Sequence, residues 1–271
     1  MRKGLKLSTI LGIIMLTVAT LSFRNTTSEN DVNSNKLGNS EVNNTKSSQE
    51  VFNDYALSVY NLTGLGATGL DYKVFLKGLT GYQNLKGLNL IPETKAILSV
   101  VDLSMPSTAK RLWVIDLSAH KILFNTLVAH GRGSGEKMAE TFSNTPSSNQ
   151  SSVGFYSTAE VYNGKHGRSL RLDGLDADLN SKARERAIVV HGADYVSQDV
   201  INSTGRLGRS QGCPALPMEL FSDIINDIKG NTLLFINGQG VDNSEYLQGI
   251  AKDVDLAKIG TAKVQVAKAQ I

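Results

Sequence analysis

The chain has 271 residues, 41% of them hydrophobic, and a formal charge of +3. That length accommodates one folded domain with or without an extension, and the hydrophobic share is that of a chain with a single main core. Its basic residues are dispersed rather than gathered into an arm or stripe, which argues against nucleic acid as a partner; a mild positive balance suits an anionic polymer without requiring one.

At the start, Arg2, Lys3 and Lys6 precede an apolar run from Leu7 to Phe23. A basic start and a short apolar stretch read as an export signal. No clean small-x-small cleavage site follows, so residues 1–23 are either a cleaved signal or a retained membrane anchor. Residues 24–50 are rich in Asn, Ser, Thr and charge, and such a stretch cannot offset its ordering entropy by burial. They are expected to form a disordered tether. From Val51 to Pro92, Phe52, Leu57 and Tyr60, then Leu70, Val74, Phe75 and Leu79, recur at near-helical spacing and predict a helical lead-in.

After Pro92 the period changes. Residues 93–240 predict the main domain, with strands over Ala96–Leu103, Arg111–Leu117 and Lys121–Ala129, and a tight connection at Ser118–His120. The loop GRGSGEKMAETFSNTPSSNQSS is long enough to be functional or mobile. Further strands are predicted over Gly154–Tyr162, Ser169–Leu172 and Ala187–His191, a helix over Pro217–Ile228, and a strand over Thr232–Asn237. Residues 241–271 form a tail to which the sequence gives no role. The elements make a mixed, mainly β fold with a short helical N-terminal extension, without the regular strand–helix alternation of a doubly wound sheet.

The single cysteine, Cys213, cannot form an intramolecular disulfide. By count alone it is a buried small residue, a link between chains, or a reactive group. Its neighbours favour reactivity. It follows Ser210 and Gly212 in a loop rich in Gly and Arg, downstream of His191 at the end of an apolar strand. A thiolate attacks carbonyls far better than a thiol, and an imidazole can take the proton and return one to a leaving amine. Gly212 permits close backbone approach, and the N–H groups of Gly212 and Cys213 are candidate oxyanion donors. Arg206 and Arg209 are expected to lower the thiol pKa and attract a carboxylate.

His191-Gly192 followed by Ser210-Gln211-Gly212-Cys213 resembles the His-Gly and Ser/Thr-x-Gly-Cys signature of the L,D-transpeptidases (the YkuD-like family). The stretches VAHGRGSG, SSVGFYSTAEVYNGKHGRSLRLDGLD, IVVHGADYVS and GRLGRSQGCPA are similar to its murein L,D-transpeptidase catalytic domain branch, and the likeness runs from about Ala96 to Asn237. The resemblance implies a YkuD-like catalytic core acting on the peptide stems of peptidoglycan in the periplasm or cell envelope. It implies Cys213 as the acylated nucleophile, His191 as general base oriented through the Gly192 carbonyl, Ser210 as the residue that orders the loop, and Gly212 with Cys213 as oxyanion donors. The chain departs from the family pattern at Gln211, which replaces a frequent His. It departs again at Ala215, which stands where many members carry Arg or Asn, and the connection from His191 to Ser210 is slightly longer than usual. Arg209, Arg206 or Arg132 could anchor substrate in place of the residue missing at 215.

His130-Gly131 also ends an apolar strand, and His130 either lines the cleft or holds the loop. His166 is read as a substrate contact or a structural hydrogen-bonding group. Arg184 and Arg186 read as a solvated helical face, and His120 as a solvated turn residue. The histidine spacing contains no His-x-x-x-His pair, so neither metal nor organic cofactor is expected. Nucleic acid is not an expected partner, and a membrane is one only through a possible N-terminal anchor. Three alternatives stay open beside L,D-transpeptidation: an L,D-carboxypeptidase using water, a non-catalytic cell-wall-binding module, and a cysteine peptidase or amidase for proteins.

Overall fold

A computed structural model describes residues 46–92 and 95–250. The expected signal or anchor over 1–23, nearly all of the tether, and residues 251–271 of the tail lie outside the described residues.

The first helix, α1 (Ser48–Thr63), begins inside the stretch expected to be tether. The cause is local: the Ser47 side chain accepts from the Glu50 N–H while the Glu50 carboxylate accepts from the Ser47 N–H, a reciprocal cap. Phe52, Ala56 and Val59 fall on one face and are buried, and Gly64 ends the helix in the left-handed region. A single 3-10 turn leads to α2 (Tyr72–Gly87), capped by Asp71. Its buried face carries Val74, Phe75, Leu79, Tyr82 and Leu85.

Eight strands form one sheet: β1 (Ile97–Asp102), β2 (Leu112–Asp116), β3 (Lys121–Thr126), β4 (Gly154–Gly164), β5 (Gly167–Gly174), β6 (Val189–Gly192), β7 (Ala215–Leu216) and β8 (Leu233–Asn237). Their spatial order is β3-β2-β1-β8-β4-β5-β6-β7, with β1·β8 and β6·β7 parallel and the other pairs antiparallel. The period of two divides each central strand between two cores. Leu98, Val100, Phe155, Leu233 and Phe235 pack with α1 and α2, while Ile97, Val101, Tyr156, Leu234 and Ile236 pack on the other face with α4 (Phe221–Ile228).

The helical lead-in is therefore half of a core rather than an appendage. Gly81 of α2 lies so close to the sheet that a Cβ there would stand 2.1 Å from the Phe155 ring. Trp113 on β2 donates its indole N–H to Thr68 Oγ1 at 2.8 Å, which joins the 3-10 turn to the sheet. The described part of the tail joins the same core: Tyr246 is buried in it, and Asn84 on α2 donates to the carbonyls of Tyr246 and Gly249 at 2.9 and 2.7 Å.

Two elements differ from the sequence expectation near the site. The β2·β3 ladder stops at Thr126 rather than Ala129, because the chain beyond it pairs with the segment around Cys213 instead: Ala129 N–H donates to Ala215 O at 2.9 Å, and Arg132 N–H to Ser210 O at 2.8 Å. Helix α3 (Gln198–Thr204) has no buried residue and hence no apolar period to announce it.

Candidate active site

Strand β6 ends at His191 and Gly192, and β7 starts two residues after Cys213. The parallel pairing of His191 with Ala215 and of Gly192 with Leu216 brings the imidazole and the thiol to the same end of the sheet. Both line one cleft of about 520 Å³, with His166, Tyr162 and Lys165 from the β4–β5 hairpin, Arg186 and Ala187 from the turn before β6, and Tyr195, Arg209 and Ser210.

His191 is buried, and its Nδ1 lies 2.9 Å from the Gly192 carbonyl oxygen. A carbonyl only accepts, so Nδ1 carries the proton and Nε2 is left with its lone pair, the tautomer that a proton acceptor needs. Burial holds this imidazole below its ordinary pKa, partly opposed by the bond to Gly192, and the neighbouring His166 pushes it in the same direction as burial. The His166 ring stacks on His191 with centroids 4.4 Å apart and planes 23° apart.

Cys213 is half-buried, and its thiol donates to Ala187 O at 3.7 Å. Burial pushes the thiol up from its ordinary value, while the Val189 N–H and the Arg186 guanidinium pull it back down. Thiol and imidazole thus both rest neutral near pH 7. Among the described residues no direct hydrogen bond joins them, and the thiol is engaged with Ala187 O instead.

Ser210 braces the loop. Its hydroxyl donates to Cys213 O at 2.6 Å and accepts from Gly212 N–H at 3.0 Å. The Gly212 amide, expected to face an oxyanion, is therefore already occupied. The Cys213 N–H meets no acceptor outside its own residue among the described residues, which makes it the free amide beside the sulfur. Gly212 has φ +126°, and a Cβ there would come within 2.8 Å of Gln150 O, so the position requires glycine both for its backbone and for its neighbours.

Of the three arginines suggested by the sequence, Arg209 lines the cleft and Arg206 and Arg132 do not. The Arg209 guanidinium binds Glu136 at 2.7 Å and Gly135 O at 3.0 Å, and Arg206 binds Glu136 at 2.9 Å. One carboxylate thus compensates both. Arg132 is exposed and outside the cleft lining. The cation beside the thiol is Arg186, which is not on a solvated helical face. It donates to Ser143 O (2.6 Å), Ser152 Oγ (2.7 Å) and Gln150 O (2.5 Å), all uncharged, and so fastens the long loop against the thiol segment, while no carboxylate among the described residues pairs with its charge. Arg184, two residues earlier, is exposed and pairs with Glu160 and Asp173. Arg186 was missed because a two-residue step decides between solvent and site in an irregular turn, where no periodicity marks the direction.

His130 does not line the cleft. It is buried behind it, where its Nδ1 accepts from the fully buried Arg111 at 2.8 Å and its Nε2 lies 3.3 Å from Gly135 O. Burial first, and then the Arg111 charge, push it down to about 4. Of its two readings, holding the loop is the one that fits. The loop itself is stitched in place: Gly131 N–H donates to Ser151 Oγ at 3.0 Å, and that hydroxyl donates to Gly212 O at 3.2 Å. Among the described residues no group of three His, Cys, Asp or Glu is placed to hold a metal ion, and no helix is long and apolar enough to cross a membrane.

A family model described as an L,D-transpeptidase catalytic domain matches residues 66–237, which takes in α2 as well as the sheet. Solved structures that match include an L,D-transpeptidase from Mycobacterium smegmatis, at 12% identity over 53% of this chain and 59% of that one, TM-score 0.34. Another is an L,D-transpeptidase from Mycobacterium tuberculosis H37Rv, at 13% over 53% and 58%, TM-score 0.30. A third is an L,D-transpeptidase from Stackebrandtia nassauensis, at 13% over 70% and 90%, TM-score 0.33. The chain thus spans less than two thirds of the length of the first two. No curated protein matches it.

Proposed function

We propose that this chain, which belongs to the L,D-transpeptidase catalytic domain family, is an exported cysteine acyltransferase that acts on the peptide stems of peptidoglycan. The observation that supports it best is the tautomer of His191: Nδ1–H is committed to the Gly192 carbonyl, and Nε2 is free to take a proton in the cleft that Cys213 lines. The basic and apolar residues 2–23 support export.

As the Cys213 thiol swings from Ala187, its proton passes to His191 Nε2 while the sulfur bonds to the stem carbonyl carbon. The carbonyl electron pair moves to oxygen, where the Cys213 N–H is the available donor. Collapse breaks the C–N bond to the terminal D-alanine, whose nitrogen takes the proton from His191, and a thioester remains. An amine of a second stem then attacks the thioester and gives its proton to His191. The thiolate leaves, takes that proton back, and a new amide joins the stems. Because thiol and imidazole both rest neutral, the ion pair forms only as attack begins, and Arg186 eases its formation.

Incubation with purified tetrapeptide stems and separation of the products tests the reading. Cross-linked dimers with release of D-alanine, lost in Cys213→Ala, are expected. Tripeptides without dimers would make water the acceptor and the activity a carboxypeptidase; no reaction with stems alongside cleavage of ordinary L-peptides would overturn the substrate.

A further inference from the structure

His166 is exposed at the tip of the β4–β5 hairpin, yet its ring lies flat on the buried ring of His191. This contact is not left to a loose tip. The hairpin turns at Lys165–His166, with Gly167 at φ +71° admitting the reversal. Arg168 ties it to α4 through Ser222 Oγ at 3.0 Å and Asn226 Oδ1 at 2.6 Å, and Arg171 holds Tyr162, its guanidinium 4.3 Å from the ring centroid. Register does the rest: Ser169 on β5 stands opposite His191 on β6, so the turn three residues earlier folds back over the imidazole.

We propose that His166 is a positioning residue for His191: its ring, lying flat on the imidazole, fixes the tilt of the base. The proposal rests on the reading of His191 as base. Two stacked imidazoles at this spacing repel when both are charged, and the inner one is the more shielded from water. Burial first, and the neighbouring His166 in the same direction, hold His191 below its ordinary pKa, so the base remains an acceptor at lower pH than it would without that neighbour. The other ionisable groups facing the pair are Tyr162 and Lys165 on the hairpin, Glu185 and Arg186 before β6, Tyr195 after it, and Arg209 and Cys213 from the thiol segment. Arg209 is paired with Glu136, and Arg186 is bonded to uncharged groups of the long loop.

The test uses the whole protein. The rate of acylation of Cys213 by a carbapenem is followed by intact mass across pH, and the imidazole resonances of the histidines are titrated by NMR in parallel. His166→Phe keeps a ring and loses the charge. It is expected to move the acid limb of the rate and the His191 titration to higher pH, with acylation roughly three- to tenfold slower on the acid side and an unchanged alkaline plateau. His166→Ala is expected to lower the plateau as well, so that Phe rescues the plateau but not the limb. A His166→Ala plateau equal to that of the native protein would overturn the proposal. His191→Ala separates the two levels: undiminished acylation in that variant sinks the base assignment, while the NMR titration still reads the coupling of the stack.

Discussion

Single side chains divide the site into groups that react and groups that brace. Cys213 and His191 are both held neutral by burial, so the free thiol is expected to react with iodoacetamide more slowly at pH 7 than an exposed cysteine, with a rate that climbs only above the ordinary thiol range. Arg186→Gln removes the nearby charge and is expected to slow that alkylation roughly tenfold at pH 8, whereas Arg209→Gln, whose charge Glu136 already compensates, should leave it within about twofold. Equal losses in the two variants would contradict the assignment. Ser210→Ala frees the Gly212 N–H and abandons the Cys213 carbonyl, at a cost of about 1–3 kcal/mol in urea unfolding and a marked loss of acylation. His130 carries a pH dependence of its own. Folded, it stays neutral down to about pH 4; unfolded, it takes a proton near 6.5. The unfolded chain therefore binds more protons between those values, so this contribution is full above about pH 6.5 and is lost as pH falls toward 4. Urea unfolding at pH 7 and pH 5 should differ by on the order of 2 kcal/mol from this group, and His130→Gln should shrink that difference.

Elements set how much of this was readable beforehand. Strands β2 and β8 stand out in the sequence because their apolar residues are buried on both faces and run on without interruption up to the last position, and β1 does so with a single break at Ser99. Strand β7 has two residues, directly behind Pro214, and its existence depends on partners distant in sequence, so no local pattern could show it. That Cys213 and His191 share a cleft was legible because the chemistry proposed for them is carried by residue type, Cys and His, and by the glycines beside them. Arg186 was not, since its role comes from the path of the turn over 175–187 and from the loop it holds. The same limit explains why Gly212 was expected to donate to an oxyanion: its N–H was counted, but the hydroxyl of Ser210 that takes it could be located only in three dimensions. Helix α2 offers a test of packing at this scale. Gly81→Ala would drive a methyl into the Phe155 ring, backbone against core, and is expected to destabilise the fold by about 1–3 kcal/mol without touching the cleft. A urea midpoint equal to the native one would show that α2 is not seated on the sheet as described.

Among the described residues, the helices α1 and α2, one face of the sheet and the turns up to Ile250 share one core, and the family match over 66–237 takes in α2 together with the sheet. The lead-in over 51–92 thus packs on the sheet as part of that core. The sheet carries His191 on β6 and delivers the Cys213 thiol just ahead of β7, and the long loop is fastened to the thiol segment by Arg186 and Ser151. The proposed chemistry then turns on one covalent event. Purified tetrapeptide stems are mixed with the protein, the reaction is quenched within the first turnover, and the intact mass and the Cys213 peptide are measured. A mass gain equal to the stem less its terminal D-alanine, located on Cys213 and absent from Cys213→Ala, is the predicted result; stems consumed at an undiminished rate by Cys213→Ala, with no adduct at any time in the native protein, would contradict it.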